Sequence, residues 1–282
     1  MRFIDKVKEI YQYRHMLFTL VKQDLQGRYK GSVFGFLWTL LNPLFMLLIY
    51  SVVFQFVFKS GIEHYPIYLF VSLMPWNAFN SMIGGGTTCA SNNASILKKV
   101  YFPREVLPLS VIISNTIQYC FSLVITILAI LISGIGLSVN ALFLPLIILV
   151  QITFAFGLIL MLSAANVFVR DVQYMMNPIM MIWMYASPIL YSISMVPEKF
   201  LKIYKLNPMV SILQGYQDIL YNKVLPDFKS LGITFGVFSD ALKMIPLYSS
   251  GFGWVIVASG MMLVSILVDK MKNIHASETQ NA

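Results

Sequence analysis

The longest uncharged stretch of this sequence, Val106 to Val169, reads VLPLSVIISNTIQYCFSLVITILAILISGIGLSVNALFLPLIILVQITFAFGLILMLSAANVFV. None of its residues is Asp, Glu, Lys or Arg. A membrane-spanning helix needs about 20 apolar residues, so this stretch is too long for one helix and long enough for two. Turn-forming residues, Ser133 to Gly136 and Asn140, divide it near the middle. The stretch therefore predicts two membrane-spanning helices joined by a short turn.

The rest of the chain has the same character. Of its 282 residues, 58% are hydrophobic and 11% are charged, against about 25% charged in soluble domains. This composition excludes an ordinary soluble enzyme and predicts an all-α membrane protein. Uncharged stretches of sufficient length predict six transmembrane helices, at about 34–58, 66–92, 106–132, 141–168, 173–195 and 251–268.

Six spans place both termini on the same side of the membrane, and the distribution of positive charge predicts which side. With the termini inside, thirteen of the 20 Lys and Arg residues are cytoplasmic, as the positive-inside rule requires. The net charge of +8 is then explained by the anionic membrane surface, and no nucleic-acid partner is expected. The residues after the last span, 269–282, form a cytoplasmic tail.

Two segments flank the first span. Residues 1–30 place apolar side chains at helical spacing among basic residues, which predicts an amphipathic helix in the membrane interface; the alternative is a helix packed on a soluble partner. Gly27, Gly31 and Gly35 follow at four-residue intervals. They form either a smooth helix face that another helix approaches closely or a hinge.

Two further segments connect spans. The inner loop 93–105 mixes apolar and basic residues, so it either docks into a groove of a soluble protein or is a basic turn that anchors the helix ends. The outer segment 197–250 contains apolar positions at helical spacing within 209–222. That helix is too short to span the membrane, which predicts a re-entrant or interfacial helix before the last span.

The sequence lacks several kinds of chemistry. It has no Gly-x-x-x-x-Gly-Lys-Ser/Thr loop for nucleotide phosphates, and His15, His64 and His275 lie too far apart for a metal site. The spans contain no ionisable acid or base of the kind that ion-coupled carriers use. We therefore expect no enzyme activity, no metal and no bound cofactor, and an energy source outside this chain. Arg170 and Asp171 predict an ion pair at the inner face, where they would anchor span four.

The spans do offer aromatic surface. Aromatic faces stack on sugar rings without holding them tightly, although such residues also form interface belts or simply pack. The candidates for lining a channel are Trp38, Tyr50, Trp76, Phe79, Trp183, Tyr185 and Tyr191.

Five motifs in order resemble those of a known family. They are Tyr29 to Trp38 with Asn42-Pro43, then Phe102 to Pro108, Asn166 to Asp171, Ser187 to Tyr191, and Tyr204 to Met209. The chain resembles the membrane-spanning subunit of type-2 ABC exporters, in the polysaccharide-export branch that includes O-antigen, capsule and teichoic-acid permeases. The resemblance covers roughly residues 5–225 and the last span.

The resemblance implies a homodimer in the bacterial cytoplasmic membrane, with a channel between the two copies. Two copies of a separate ABC ATPase would bind ATP and Mg²⁺ and move the permease through the coupling loop. In this chain the matching residues are Asn93, Ile96, Leu97, Lys98, Lys99, Tyr101 and Arg104. The substrate would be a polysaccharide on a polyprenyl pyrophosphate lipid, whose lipid end enters near the interfacial helix.

Cations at the inner interface would suit that pyrophosphate. Lys22, Arg28 and Lys30 are placed for this role, because Arg matches phosphate geometry and Lys supplies a point charge. Attraction to anionic lipid explains the same residues equally simply. Three other functions compete with glycan export: an ABC exporter of a drug or another lipid, a membrane enzyme of lipid-linked glycan assembly, and a structural membrane protein.

Overall fold

The computed structural model describes residues 3–32, 34–56 and 63–227, which form ten α-helices and no strand. In chain order the helices are α1 Phe3–Gln12, α2 Arg14–Tyr29, α3 Trp38–Phe56, α4 Tyr65–Asn92, α5 Ala94–Lys99, α6 Val106–Ile132, α7 Leu144–Phe168, α8 Val172–Tyr185, α9 Glu198–Tyr204 and α10 Pro208–Gln217. The predicted sixth span 251–268, the tail 269–282 and residues 228–250 of the outer segment lie outside the described residues.

Helix α4 is the centre of the packing. It contacts α3, α6, α7, α8 and α10, and its side chains from Leu69 to Ile83 supply much of the main hydrophobic core. Pro66 stands in its first turn, where a missing N–H costs nothing and the fixed φ favours a helix. Because α4 is buried on several sides, its apolar residues are spread around the helix and are not confined to one face.

Close helix approach depends on glycine at two positions. A Cβ atom at Gly86 in α4 would overlap the Ile159 side chain of α7, and one at Gly215 in α10 would lie 2.6 Å from Ile147 Cδ1 of α7. Membrane helices gain contact area when small residues let their backbones approach. Both contacts hold a neighbour against α7.

Between α2 and α3 the chain turns. Helix α2 ends at Tyr29, and both Gly31 and Gly35 have positive φ, 82° and 47°, a conformation that glycine adopts without strain. Of the two readings of the glycine spacing, the structure therefore shows the hinge.

The helices reproduce the predicted span positions unequally. Helices α4 and α6 match 66–92 and 106–132 to within one residue. Two stretches, Val106–Ile132 and Val139–Phe168, are long and apolar enough to cross a membrane, and Trp38–Val53 is apolar but shorter. The number of spans stays a prediction.

The fifth predicted span differs most from the structure. Helix α8 ends at Tyr185, ten residues before the predicted end at 195, and an irregular segment follows it. The predicted helix 209–222 is present as α10 with a wider turn, Asp218–Asn222. It packs on α4 and α7, with Ile212, Leu213, Tyr216, Ile219 and Leu220 all buried.

Candidate functional site

The short helix α5 turns the chain between α4 and α6. Asn93 precedes it and donates from Nδ2 to the Cys89 carbonyl at 2.9 Å, which closes the end of α4. Ile96 and Leu97 are half-buried against protein. The other members of the predicted coupling set are exposed: Lys98, Lys99, Tyr101 and Arg104. We call these four the coupling surface; exposed Tyr and Arg side chains such as Tyr101 and Arg104 are enriched where proteins dock to one another.

A second hydrophobic core lies beneath α5. This inner cluster consists of Leu17, Cys89, Phe102, Val106 and Leu107, with Ile96 and Leu97 packed against it. It joins α2, the end of α4, α5 and the start of α6. A displacement of α5 would therefore reach α2 and α6 through direct contacts.

Helix α2 runs alongside α6. Leu17 packs in the inner cluster with Leu107, and Arg28 contacts Gln118. Both helices advance by the same number of residues between these contacts, about 16 Å at 1.5 Å per residue, so they run side by side in one direction. The segment predicted to lie in the membrane interface thus buries one face on protein, while Phe18 remains 63% exposed.

Polar side chains hold α2 to α6 further along. Arg28 Nη2 lies 2.9 Å from Asp24 Oδ2, Arg28 Nη1 donates to Gln118 Oε1 at 2.6 Å, and Nη2 donates to Asn115 Oδ1 at 3.1 Å. Ser114 Oγ donates to Asp24. We call these five residues the α2–α6 clamp. Hydrogen bonds that involve charged groups are stronger than neutral ones, so the clamp fixes α2 beyond what its apolar contacts achieve.

The three cations predicted at the inner interface differ in their surroundings, because only Arg28 belongs to the clamp. Lys22 and Lys30 are exposed. Arg28 instead directs its guanidinium at Asp24, Asn115 and Gln118. Its charge is balanced by a carboxylate and most of its donors are used, so Arg28 suits a structural role better than a phosphate contact.

A polar cleft lies between α3, α4 and α6. Its volume is about 530 Å³ including the open mouth. From α4 it is lined by Met74, Asn77, Ala78 and Ser81, and from α6 by Asn115, Gln118, Tyr119 and Ser122. Both sets follow the spacing i, i+3, i+4, i+7, which places them on one face of each helix.

Four aromatic side chains from α4, α7 and α8 pack together. The rings of Phe79 and Phe154 stack at 5.6 Å, and Trp183 meets Phe79 edge-on at 5.5 Å and Trp76 at 6.4 Å. Trp76 and Phe79 are 2% and 0% exposed. Their burial argues against the predicted channel-lining role, because a substrate would have to displace this core to touch them.

The other aromatic candidates are more accessible. Tyr185 is 52% exposed. Trp38 is half-buried and donates from Nε1 to Ser32 Oγ at 3.0 Å; Tyr50 is half-buried against the main core. Tyr191 is half-buried too, and accepts at its hydroxyl from Tyr204 Oη at 3.2 Å. Burial, followed by this hydrogen bond, raises the pKa of Tyr204, so that phenol stays protonated.

Helix α8 ends at a junction of polar side chains. Asn207 Nδ2 donates to the Ala186 carbonyl at 3.0 Å and to Ser187 Oγ at 3.2 Å, while its Oδ1 accepts from Trp183 Nε1 at 2.8 Å. Gln217 Nε2 donates to the Pro188 carbonyl at 2.7 Å and to Ser72 Oγ at 2.8 Å. These side chains form hydrogen bonds with backbone carbonyls that have no helical partner because the helix is broken. Within hydrocarbon such groups must be satisfied by the protein itself.

The turn between α7 and α8 carries the predicted pair Arg170 and Asp171. Both side chains are exposed, and within residues 63–227 no ion pair joins them, so their role as an anchor stays a prediction. Asn166 holds the turn instead. Its Oδ1 accepts from the Gln173 amide at 3.2 Å, and its Nδ2 donates to Ser91 Oγ at 3.4 Å.

Comparison with known proteins decides the family. The profile of the ABC-2 type transporter matches residues 15–221. The chain belongs to the ABC-2 type transporter family. It is 37% identical to the O-antigen export system permease protein RfbA of Myxococcus xanthus, over 81% of this chain and 88% of that one. An RfbA of Klebsiella pneumoniae is 34% identical, over 74% of this chain and 82% of its own length.

The family match confirms the resemblance that the five motifs predicted, and the ABC-2 chain is a membrane transport subunit. Two of those motifs, 187–191 and 204–209, meet in space where Asn207 contacts Ser187. The sequence alone did not predict the α2–α6 clamp or the polar cleft. The cleft had a signal, since Asn115, Gln118 and Ser122 put amides and a hydroxyl on one face of an apolar helix.

Proposed function

We propose that this ABC-2 chain is the permease subunit of an ATP-driven exporter that moves a lipid-linked polysaccharide of the O-antigen type across the bacterial inner membrane. The observation that carries the proposal is the shared identity of 33–37% with three O-antigen export permeases, over most of each chain. Exporters of drugs or other lipids have no such support.

The proposed membrane topology has six spans, with both termini in the cytoplasm. Helices α3, α4, α6 and α7 supply four of them, α8 together with the uncharged segment that follows it supplies the fifth, and residues 251–268 are proposed as the sixth. The count rests on uncharged length, and the orientation rests on the bias of Lys and Arg toward the inner loops. Two copies of the chain form the transporter.

The energy source is a separate ABC ATPase, present in two copies, which holds ATP and Mg²⁺. It docks on the coupling surface, where Lys98, Lys99, Tyr101 and Arg104 are all exposed. Ile96 and Leu97 point the other way into the inner cluster, so movement of α5 reaches α2 and α6. This arrangement supports transmission of ATP-driven motion without any catalytic group in this chain.

The substrate is a polysaccharide on polyprenyl pyrophosphate. Lys22 and Lys30, both exposed, remain the cations placed to meet the pyrophosphate at the inner surface. Tyr185, Tyr191 and Trp38 remain the aromatic side chains placed to contact sugar, because they are not enclosed in the core.

Deletion of the gene in its host tests the function. The expected result is loss of polysaccharide from the cell surface, with lipid-linked polysaccharide accumulating on the inner face of the membrane. A plasmid copy should restore export, and purification of that copy should retain an ABC ATPase. Unchanged surface polysaccharide after deletion, or export by this chain without any ATPase, would refute the proposal.

A further inference from the structure

The polar cleft between α3, α4 and α6 is unusual for its surroundings. Amide and hydroxyl side chains that face hydrocarbon are costly unless protein, water or a ligand binds them. The cleft gathers several of them at one place: Asn42, Asn77, Ser81, Gln118 and Ser122. A purely structural contact between three membrane helices does not require an open space of this polarity.

The charge of the cleft limits what it holds. None of its lining residues is ionisable at neutral pH. Among the described residues, Arg28 is the cation that bonds to this lining, through Asn115 and Gln118, and it is paired with Asp24. An anionic phosphate would meet no uncompensated charge, and a metal cation would meet no carboxylate. The cleft therefore favours a neutral ligand.

The lining also has an apolar part. Pro43, Met46, Met74 and Ala78 line the cleft together with the amides, and Asn77 Nδ2 faces Met46 Sδ at 4.0 Å, a weak acceptor. A lipid chain would leave the amides unsatisfied. A pyranose ring presents apolar C–H faces as well as hydroxyls, so it matches both parts.

We propose that the cleft is a saccharide subsite, which binds an uncharged sugar unit of the exported polysaccharide through Asn42, Asn77 and Ser81, with Ser122 opposite. The α2–α6 clamp orders its α6 wall, because Arg28 binds the side-chain oxygens of Asn115 and Gln118. The inference rests on the proposed function, since only a glycan carrier brings sugars to this place.

Thiol labelling tests the subsite directly. Asn77→Cys is compared with Asn80→Cys, which lies three residues further along α4, is exposed and does not line the cleft; both carry Cys120→Ser. Membrane vesicles are prepared from cells that make the polysaccharide and from cells that do not, and are treated with a small water-soluble methanethiosulfonate. Glycan should slow labelling at position 77 at least about fivefold, and at position 80 less than about twofold.

Transport by leucine variants gives a second measurement. Asn77→Leu and Ser81→Leu should each lower export at least about tenfold while the chain still co-purifies with its ATPase, and Asn80→Leu should export within about twofold of the parent. Labelling at position 77 that is equal with and without glycan, in vesicles that export normally, would overturn the subsite and leave the proposed function standing. Absence of export by the parent chain would overturn both.

Discussion

The two ends of the described helices are held together by different means. At the end that the proposed topology places in the cytoplasm, called the inner end, α2, α5 and α6 meet through the apolar inner cluster and one partly exposed clamp that contains an ion pair. At the opposite end, called the outer end, the break after α8 is held by amides and phenols that bind backbone carbonyls. Besides Asn207 and Gln217, Tyr65 Oη donates to the Leu190 carbonyl at 2.7 Å and Tyr68 Oη to the Tyr191 carbonyl at 3.1 Å.

This difference matches what each end must do. Apolar contacts are non-directional, so the inner cluster can shift when a partner pushes on α5 and still stay packed. Directional hydrogen bonds to carbonyls fix one geometry, and leaving a buried group unsatisfied is expensive. The inner end is therefore suited to transmit movement, and the outer end is suited to keep an irregular backbone in place.

The largest expected effect is at the outer junction. Asn207→Ala removes bonds to Ala186, Ser187 and Trp183 and the capping bond to the Met209 amide at the start of α10. It should lower the free energy of unfolding by about 3 kcal/mol, since the buried Ser187 hydroxyl loses a partner at about 1–3 kcal/mol and a lost helix cap costs about 1 kcal/mol. Denaturant titration of the purified chain in detergent measures this. The matched control is Asn222→Ala, an exposed residue whose side chain reaches Asp218; it should change stability by less than about 0.5 kcal/mol. Equal effects would show that the outer junction does not depend on Asn207.

The next effect concerns the close contact between α4 and α7. Gly86→Ala forces a methyl group into Ile159 and should cost about 2 kcal/mol, as overpacking does. Gly84→Ala, two residues earlier, meets nothing within 4 Å and should be neutral or stabilising by up to about 1 kcal/mol, because Ala favours the helix. Thermal unfolding of both variants in the same detergent gives the comparison, and a stable Gly86→Ala variant would mean that α4 and α7 can separate.

Sequence patterns predicted the two ends unequally well. Uncharged length located α4 and α6 to within one residue, because a helix that crosses hydrocarbon must be apolar throughout. The same criterion predicted that span five ends at residue 195, although α8 ends at Tyr185. Residues 186–195 carry no charge, which is why the criterion included them, but Pro188 disfavours a helix there. The side chains that bind the backbone of the break come from distant parts of the sequence, as Asn207, Gln217, Tyr65 and Tyr68 do.

Only part of the candidate site follows from the sequence. The family resemblance put the coupling set in the loop 93–105, and the structure leaves Lys98, Lys99 and Tyr101 there exposed; their coupling role stays a prediction. Arg28 looked like a phosphate contact because the sequence shows a cation near a span. Its partners Asn115 and Gln118 lie almost ninety residues away, so the clamp follows from tertiary packing that no local pattern encodes.

The coupling surface gives a functional contrast with the outer end. Lys98→Glu with Lys99→Glu should lower export about tenfold or more, because reversed charges at an interface repel the partner, and should leave the stability of the chain unchanged. Lys199→Glu, an exposed cation near the outer junction, is the control and should export normally. ATP hydrolysis and export are measured on the same vesicles. Normal export by the double variant would show that α5 only anchors the helix ends and does not couple to an ATPase.

The smallest effect separates the two possible roles of the inner cations. Arg28→Lys keeps the charge but loses the planar fork that reaches Asp24, Asn115 and Gln118 at once. It should lower the free energy of unfolding by about 1 kcal/mol, the size of one or two weakened hydrogen bonds. Replacing Lys22 and Lys30 together by Gln should leave stability unchanged and slow export of the pyrophosphate-linked lipid. If Arg28→Lys were as stable as the parent while the Lys22 and Lys30 variant unfolded more easily, the roles assigned by the clamp would be reversed, and Arg28 would return as the phosphate contact.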